Sequence, residues 1–287
     1  MADPHFIRFF QTGAEKTDEM SVPQGSGAQE PGYSQELRAQ FRRIYGKSGV
    51  KVRKILLTAM KIGVLGSTSP LVSIHLQRLI AESTPARKDQ DHLEVVSYTN
   101  PKVSDYENGA EKEAIGDREY HENLVTSAQL LVRAGVSMIA IPCNRAHARI
   151  LDIQGRVPVP ITNMVELTVR RILEERGKTQ VGLLAGGATQ KIYEAVTPNS
   201  GIRWIVPEKA SEEAVVNVIR AIKEGGEADT AAVIKVAKEL IEKGAKVLVL
   251  GYAKLSMVAE DVEKLGKPVV DPMRVLAEHL VDQARVV

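Results

Sequence analysis

The sequence predicts an α/β protein: two similar Rossmann-like domains with mainly parallel sheets, facing across a cleft and preceded by a disordered leader. Three observations predict it. From Lys61 onward, short apolar runs alternate with amphipathic stretches, the pattern of βαβ units and a parallel sheet. The pattern also repeats. "KIGVLGSTSP" and "QVGLLAGGAT" each read as strand, small-residue turn and helix, and each is followed by a strand ending in a polar cluster, "IAIPCNRAH" and "LVLGYAKLS". Residues 1–58 carry neither pattern.

In that leader, "QTGAEKTDEMSVPQGSGAQEPGYSQE" is polar, rich in Gly, Pro, Ser and Gln, and has no apolar period, so it reads as disordered. The basic stretch "LRAQFRRIYGKSGVKVRKILL" reads as a solvated tail, with a nucleic-acid arm or docking segment as the alternative. Strands are expected at 61–66, 93–99, 137–143, 160–162, 180–185, 202–206, 246–251 and 268–271, with helices between them. "REYHENLVTSAQLLVRAG" places Leu124, Ala128, Leu131 and Val132 on one face, with Gly135 as a C-terminal stop. "TAAVIKVAKELIEKG" repeats this pattern before the strand at Lys246. The domain expectation is 61–160 plus 270–287 for the first unit and 161–269 for the second.

Composition narrows the function classes. The 287 residues include 38 basic and 36 acidic side chains, net +2, which gives no reason to expect nucleic acid or a charged membrane as partner. A single cysteine cannot form an intrachain disulfide, which fits a reducing, cytoplasmic setting. No apolar run approaches the roughly 20 residues of a membrane helix, and the N-terminus lacks a secretory pattern.

That cysteine, Cys143, stands where an apolar run ends, followed at once by Asn144, Arg145 and His147. Ligands of open parallel sheets bind beyond the carboxyl ends of the strands. Two facing domains therefore bring Cys143 and Tyr252, the ends of the repeated units, to opposite walls of one cleft. The plainer readings are a buried apolar thiol, a cleft-lining tyrosine, a structural His147, and solvated Arg145 and Lys254. The glycines of "LAGGAT" suggest phosphate, but GxGxxG and Walker spacings are both missing. His75, His92, His121, His147 and His279 are scattered without zinc spacing.

Six motifs in order resemble the aspartate/glutamate racemase superfamily: "IGVLGSTSPLVS", "YTNPKVSD", "IPCNRAH", "LLAGGAT", "VLGYAKLSM" and "VVDPMRVLAEHLV". The resemblance covers nearly all of Lys61 to Val287. It implies cofactor-independent chemistry in which two thiols flank the α-carbon of an amino acid, one removing a proton and the other delivering one. It further implies that Asn100 and Asn144, with Ser67 and Thr189, hold the substrate carboxylate, that His147 supports the site, and that the protein is a homodimer. Tyr252 replaces the second cysteine. An unperturbed phenol titrates near about 10 against about 8.5 for a thiol, so Tyr252 suits proton donation better than proton abstraction.

The resemblance therefore implies an enzyme acting at the α-carbon of a small acidic amino acid or dicarboxylate, with Cys143 as base. Its alternatives are a one-thiol decarboxylase or isomerase of the same superfamily, and a non-catalytic carboxylate-binding protein. Arg145 and Lys254 stand where the family has Thr and Glu. If turned inward, they favour a dicarboxylate and the thiolate form of Cys143.

Overall fold

In a computed structural model, residues 60–66, 69–101, 113–223 and 229–285 are described. The leader and Ser67 lie outside the described residues. The described residues all belong to one compact unit. Its first half runs β1 (Lys61–Gly66), α1 (Pro70–Ser83), β2 (Glu94–Thr99), α2 (Glu113–Arg133), β3 (Met138–Ala140), a 3-10 turn (Asn144–Arg149) leading into α3 (Ile150–Gln154), β4 (Ile161–Thr162) and α4 (Met164–Arg176). The second half repeats the order: β5 (Gln180–Leu183), α5 (Gly187–Ala195), β6 (Arg203–Ile205), α6 (Lys209–Lys223), α7 (Thr230–Glu242), β7 (Val247–Val249), a 3-10 turn (Ala253–Val258) leading into α8 (Ala259–Glu263), β8 (Val269–Val270) and α9 (Pro272–Arg285).

The strands form two four-stranded sheets, ordered β2-β1-β3-β4 and β6-β5-β7-β8, and every pairing is parallel. All eight strands expected from the sequence are present, most of them shorter. The apolar run 137–143 pairs only at Met138–Ala140, and the run 246–251 only at Val247–Val249. Val249 stands opposite the last residues of both its neighbours, Leu183 of β5 and Val270 of β8; Ala140 stands opposite the end of β4, and although β1 runs on to Gly66, Pro142 has no N–H to offer it. In each sheet the chain reverses its winding direction between β1 and β3, or β5 and β7. Such a reversal opens a crevice at the carboxyl ends of those strands.

Parallel strands are covered on both faces, so they need continuous apolar side chains rather than alternating ones. Ile62, Val64 and Leu65 of β1 and Val247, Leu248 and Val249 of β7 are accordingly buried. The covering helices are exchanged between the halves. Val165, Val169 and Ile172 of α4 cluster with Val181, Leu183, Val247 and Val249 of the second sheet. Met273, Leu276, Ala277 and Leu280 of α9 cluster with Ile62, Val64, Met138 and Ala140 of the first. Each of the larger side chains among them stabilises by about 1.5–3 kcal/mol on burial, so the exchange ties the halves together. Gly135 ends α2 at φ +79°, a conformation that costs glycine nothing. Among the described residues no helix is long and apolar enough to cross a membrane.

Candidate active site

The sheet register makes Cys143 and Tyr252 structural equivalents. Gly63 of β1 pairs with Ile139 of β3, and Gly182 of β5 pairs with Leu248 of β7. The same four-residue step from Ile139 and Leu248 leads to Cys143 and Tyr252. Both precede a 3-10 turn from extended backbone, at φ −154°, ψ 111° and φ −110°, ψ 127°. By the same step Arg145 corresponds to Lys254, and His147 to Ser256. Each turn begins beside the crevice of its own sheet.

Asn144 joins the two turns. Its buried amide Nδ2 donates to the Gly251 carbonyl at 2.8 Å, and its Oδ1 accepts from the Tyr193 hydroxyl at 2.9 Å. Cys143 and Tyr252 are thus each one residue from a hydrogen bond that links their turns. Tyr193, on α5, is fully buried and tilts against Trp204, with ring centroids 4.9 Å apart. Burial pushes its phenol well above the ordinary tyrosine range, so it stays a donor. Gly251 itself is packed against the end of β5: a Cβ there would lie 2.5 Å from the Ala185 Cβ. Both ends of the Asn144 amide, which the resemblance assigns to a substrate carboxylate, therefore have partners inside the protein.

Around the thiol the sequence reading missed Tyr120. It is buried on α2, and its hydroxyl lies 3.6 Å from Cys143 Sγ. The exposed Arg145 places its guanidinium 5.8 Å from the centre of the Tyr120 ring, a cation–π distance. Tyr120 precedes Leu124 by four residues, on the same helical face. Periodicity therefore marks it as core, and only its hydroxyl hinted at more. Cys143 itself is half-buried.

On the other turn, the Tyr252 hydroxyl accepts the Gly186 N–H at 3.2 Å, at the cap of α5. Lys254 is buried at 9% exposure, unlike its equivalent Arg145. Thr189 is buried one turn before Tyr193 on α5. Asn100 directly follows β2 and is half-buried, its backbone N–H donating to the Gly66 carbonyl at 3.2 Å.

His147 braces the first turn. Its Nδ1 lies 2.8 Å from the Cys143 carbonyl, while its Nε2 accepts the Met164 N–H at 3.1 Å. The carbonyl requires the proton on Nδ1, and the amide requires a lone pair on Nε2, so a neutral imidazole fits both. Burial pushes its pKa below the ordinary histidine value, against weaker upward pulls from the Cys143 and Thr162 carbonyls. A histidine with a lowered folded-state pKa adds stability that is complete above its unfolded value, about 6.5, and is lost as pH falls through the folded value. The urea midpoint is therefore expected to fall between pH 7.5 and 5.5. His147→Gln should make that fall shallower without removing it, because His75 and His279 are also lowered by burial. An unchanged slope in the variant would show that His147 does not titrate this way.

Comparison with known proteins follows the same geometry. The family model Asp/Glu/Hydantoin racemase matches residues 62–280. Over 229 residues the chain is 26% identical to the broad specificity amino-acid racemase RacX of Bacillus subtilis (strain 168), an alignment spanning 77% of this chain and 96% of that protein. Among solved structures, aspartate racemase from Picrophilus torridus superposes with a TM-score of 0.63 at 21% identity, covering 79% of this chain and 94% of its own. Glutamate racemase from Francisella tularensis subsp. tularensis SCHU S4, in complex with D-glutamate, superposes with a TM-score of 0.57 at 18% identity, covering 78% and 80%.

Proposed function

From the chain's membership of the Asp/Glu/Hydantoin racemase family, we propose a cofactor-independent enzyme that acts at the α-carbon of a small acidic amino acid or dicarboxylate. Cys143 is the thiolate base and Tyr252 the proton donor. The observation that carries this reading is the 2.8 Å hydrogen bond from Asn144 to Gly251, which holds the thiol turn against the phenol turn. Tyr120 supplies a hydroxyl within 3.6 Å of the sulfur, and Arg145 and Lys254 supply positive charge for a carboxylate. An α-proton is a weak acid, so the site must also stabilise the developing carbanion with preorganised donors. Asn100 and Thr189, with Ser67 in the Gly-rich loop, are the residues proposed for that task. The protein acts in the cytoplasm, as a homodimer.

One observation favours the second reading, a one-thiol decarboxylase or isomerase. The Gly186 N–H aimed at the Tyr252 oxygen stabilises negative charge there after its proton has left. That suits delivery of a proton from one face more than its recovery. Incubation of each enantiomer of aspartate and glutamate in D₂O separates the readings. Exchange with inversion at the α-carbon supports the racemase, and exchange with retention supports a one-base enzyme. Tight binding without exchange would replace both with a carboxylate-binding protein.

A further inference from the structure

Away from the thiol, three polar side chains from distant parts of the chain meet in a line. His75 Nε2, on α1, lies 2.8 Å from Ser256 Oγ in the Tyr252 turn. The Ser256 hydroxyl donates to Asp271 Oδ2, and Asp271 Oδ1 accepts the Met273 N–H at 2.9 Å where α9 begins. Ser256 and Asp271 are buried, at 6% and 4% exposure, whereas His75 is half-buried. Ser256 has a single proton, and Asp271 takes it, so Ser256 Oγ accepts the Nε2–H of His75.

The repeat gives this line its meaning. In the first half His147 spans from its own turn to the amide that opens α4. The equivalent position in the second half is Ser256, and the residue equivalent to Met164 is Pro272, which has no N–H to be accepted. Asp271 caps α9 as Asn163 caps α4, and the imidazole that meets Ser256 comes from the other half, on α1. The two halves are therefore linked here by groups that can exchange protons.

We infer that His75, Ser256 and Asp271 are positioning residues, a proton-carrying relay that fixes the turn bearing Tyr252 and Lys254 and loosens it when a proton is taken up at His75. The relevance of that turn to chemistry rests on the proposed function. Uptake of one proton at His75 Nδ1 moves the Nε2 proton to Ser256 and the Ser256 proton to Asp271. The line then reverses: Asp271 donates to Ser256, and Ser256 donates to Nε2. The Ser256–Asp271 bond loses its ionic partner and with it about half its strength.

The surroundings bear on both ends. Arg78 and Glu82 on α1, Arg274 on α9 and Asp271 itself act on His75. Glu260 on α8 faces Arg78, and Glu263 pairs with Arg274 at 2.9 Å. Tyr193 on α5 senses Asp271. Burial pushes His75 down and Asp271 up, so both resist ionisation.

Hydrogen exchange followed by mass spectrometry tests this without any substrate. Protection is corrected for intrinsic exchange and read at pH 7.5 and 5.5 in proteins whose circular dichroism confirms folding. In the native protein, protection of residues 253–258 is expected to fall by up to about tenfold at pH 5.5, half the strength of one charge-assisted hydrogen bond, while α7 changes little. His75→Gln keeps a donor but offers no imidazole to take up the proton, so its protection should depend on pH much less than the native protein's. Ser256→Ala should be weakly protected at both pH values. A native protein with pH-independent protection, or His75→Gln with the native pH dependence, would overturn the relay. If exchange behaves as expected but no α-carbon exchange occurs at any pH, the proposed function fails and the relay stands.

Discussion

Cys143→Ser is expected to lower α-carbon exchange by about 10²–10⁴-fold, the span of one positioned acid or base, while leaving the fold intact. Serine matches the shape of cysteine, but its hydroxyl is not ionised near neutral pH, whereas a thiol readily becomes a thiolate. The side chain is half-buried at the end of β3, packed against the cluster of Leu65, Ile139 and Ile141, so little apolar area is lost. Tyr120→Phe removes only the hydroxyl beside the sulfur and should cost less, because the thiol itself is kept. Deuterium incorporation measured by NMR, with urea unfolding as a stability control, distinguishes the two. Native-like exchange in a folded Cys143→Ser protein would remove Cys143 from the mechanism.

Asn144→Ala should give the largest loss of stability among the site substitutions, about 2–5 kcal/mol. It takes the acceptor from the fully buried Tyr193 hydroxyl, which keeps Thr168 beside it, and the donor from the Gly251 carbonyl, and each unsatisfied buried group costs about 1–3 kcal/mol. The ion pair between Arg149 and Asp152, close by but exposed on both sides, provides the contrast: breaking such a pair costs less than about 1 kcal/mol. Urea unfolding of Asn144→Ala and Asp152→Asn measures both. An Asn144→Ala protein within about 0.5 kcal/mol of the native one would mean that water or a neighbouring side chain satisfies both groups. It would also remove the argument that this amide holds the two turns together.

Much of the architecture was legible in the chain. Eight apolar runs foretold eight strands because a parallel strand must be apolar on both faces, a requirement written locally in residues such as Ile62, Val64, Val247 and Val249. The internal echo foretold that Cys143 and Tyr252 stand at equivalent positions, three residues beyond β3 and β7, since a repeated order of elements gives a repeated register. Motif order foretold the family. The strand ends were less legible: hydrophobicity continues through Ile141 and Leu250, while pairing stops at the ends of β5 and β8 in one sheet and just before Pro142 in the other.

By itself, then, the sequence determined which segments form strands and helices, that two sheets repeat one plan, and that the only thiol stands at a strand end. The tertiary structure decided who meets whom. Asn144 reaches Gly251 across 107 residues and His75 reaches Ser256 across 181. It also set Tyr120 beside the sulfur, left Arg145 exposed over the Tyr120 ring and buried Lys254. The reason is range. Periodicity reports the face a residue shows to its own element within a turn or two. A buried hydrogen bond between halves exists only once the sheets, with the exchanged helices α4 and α9, have fixed the distance between its ends.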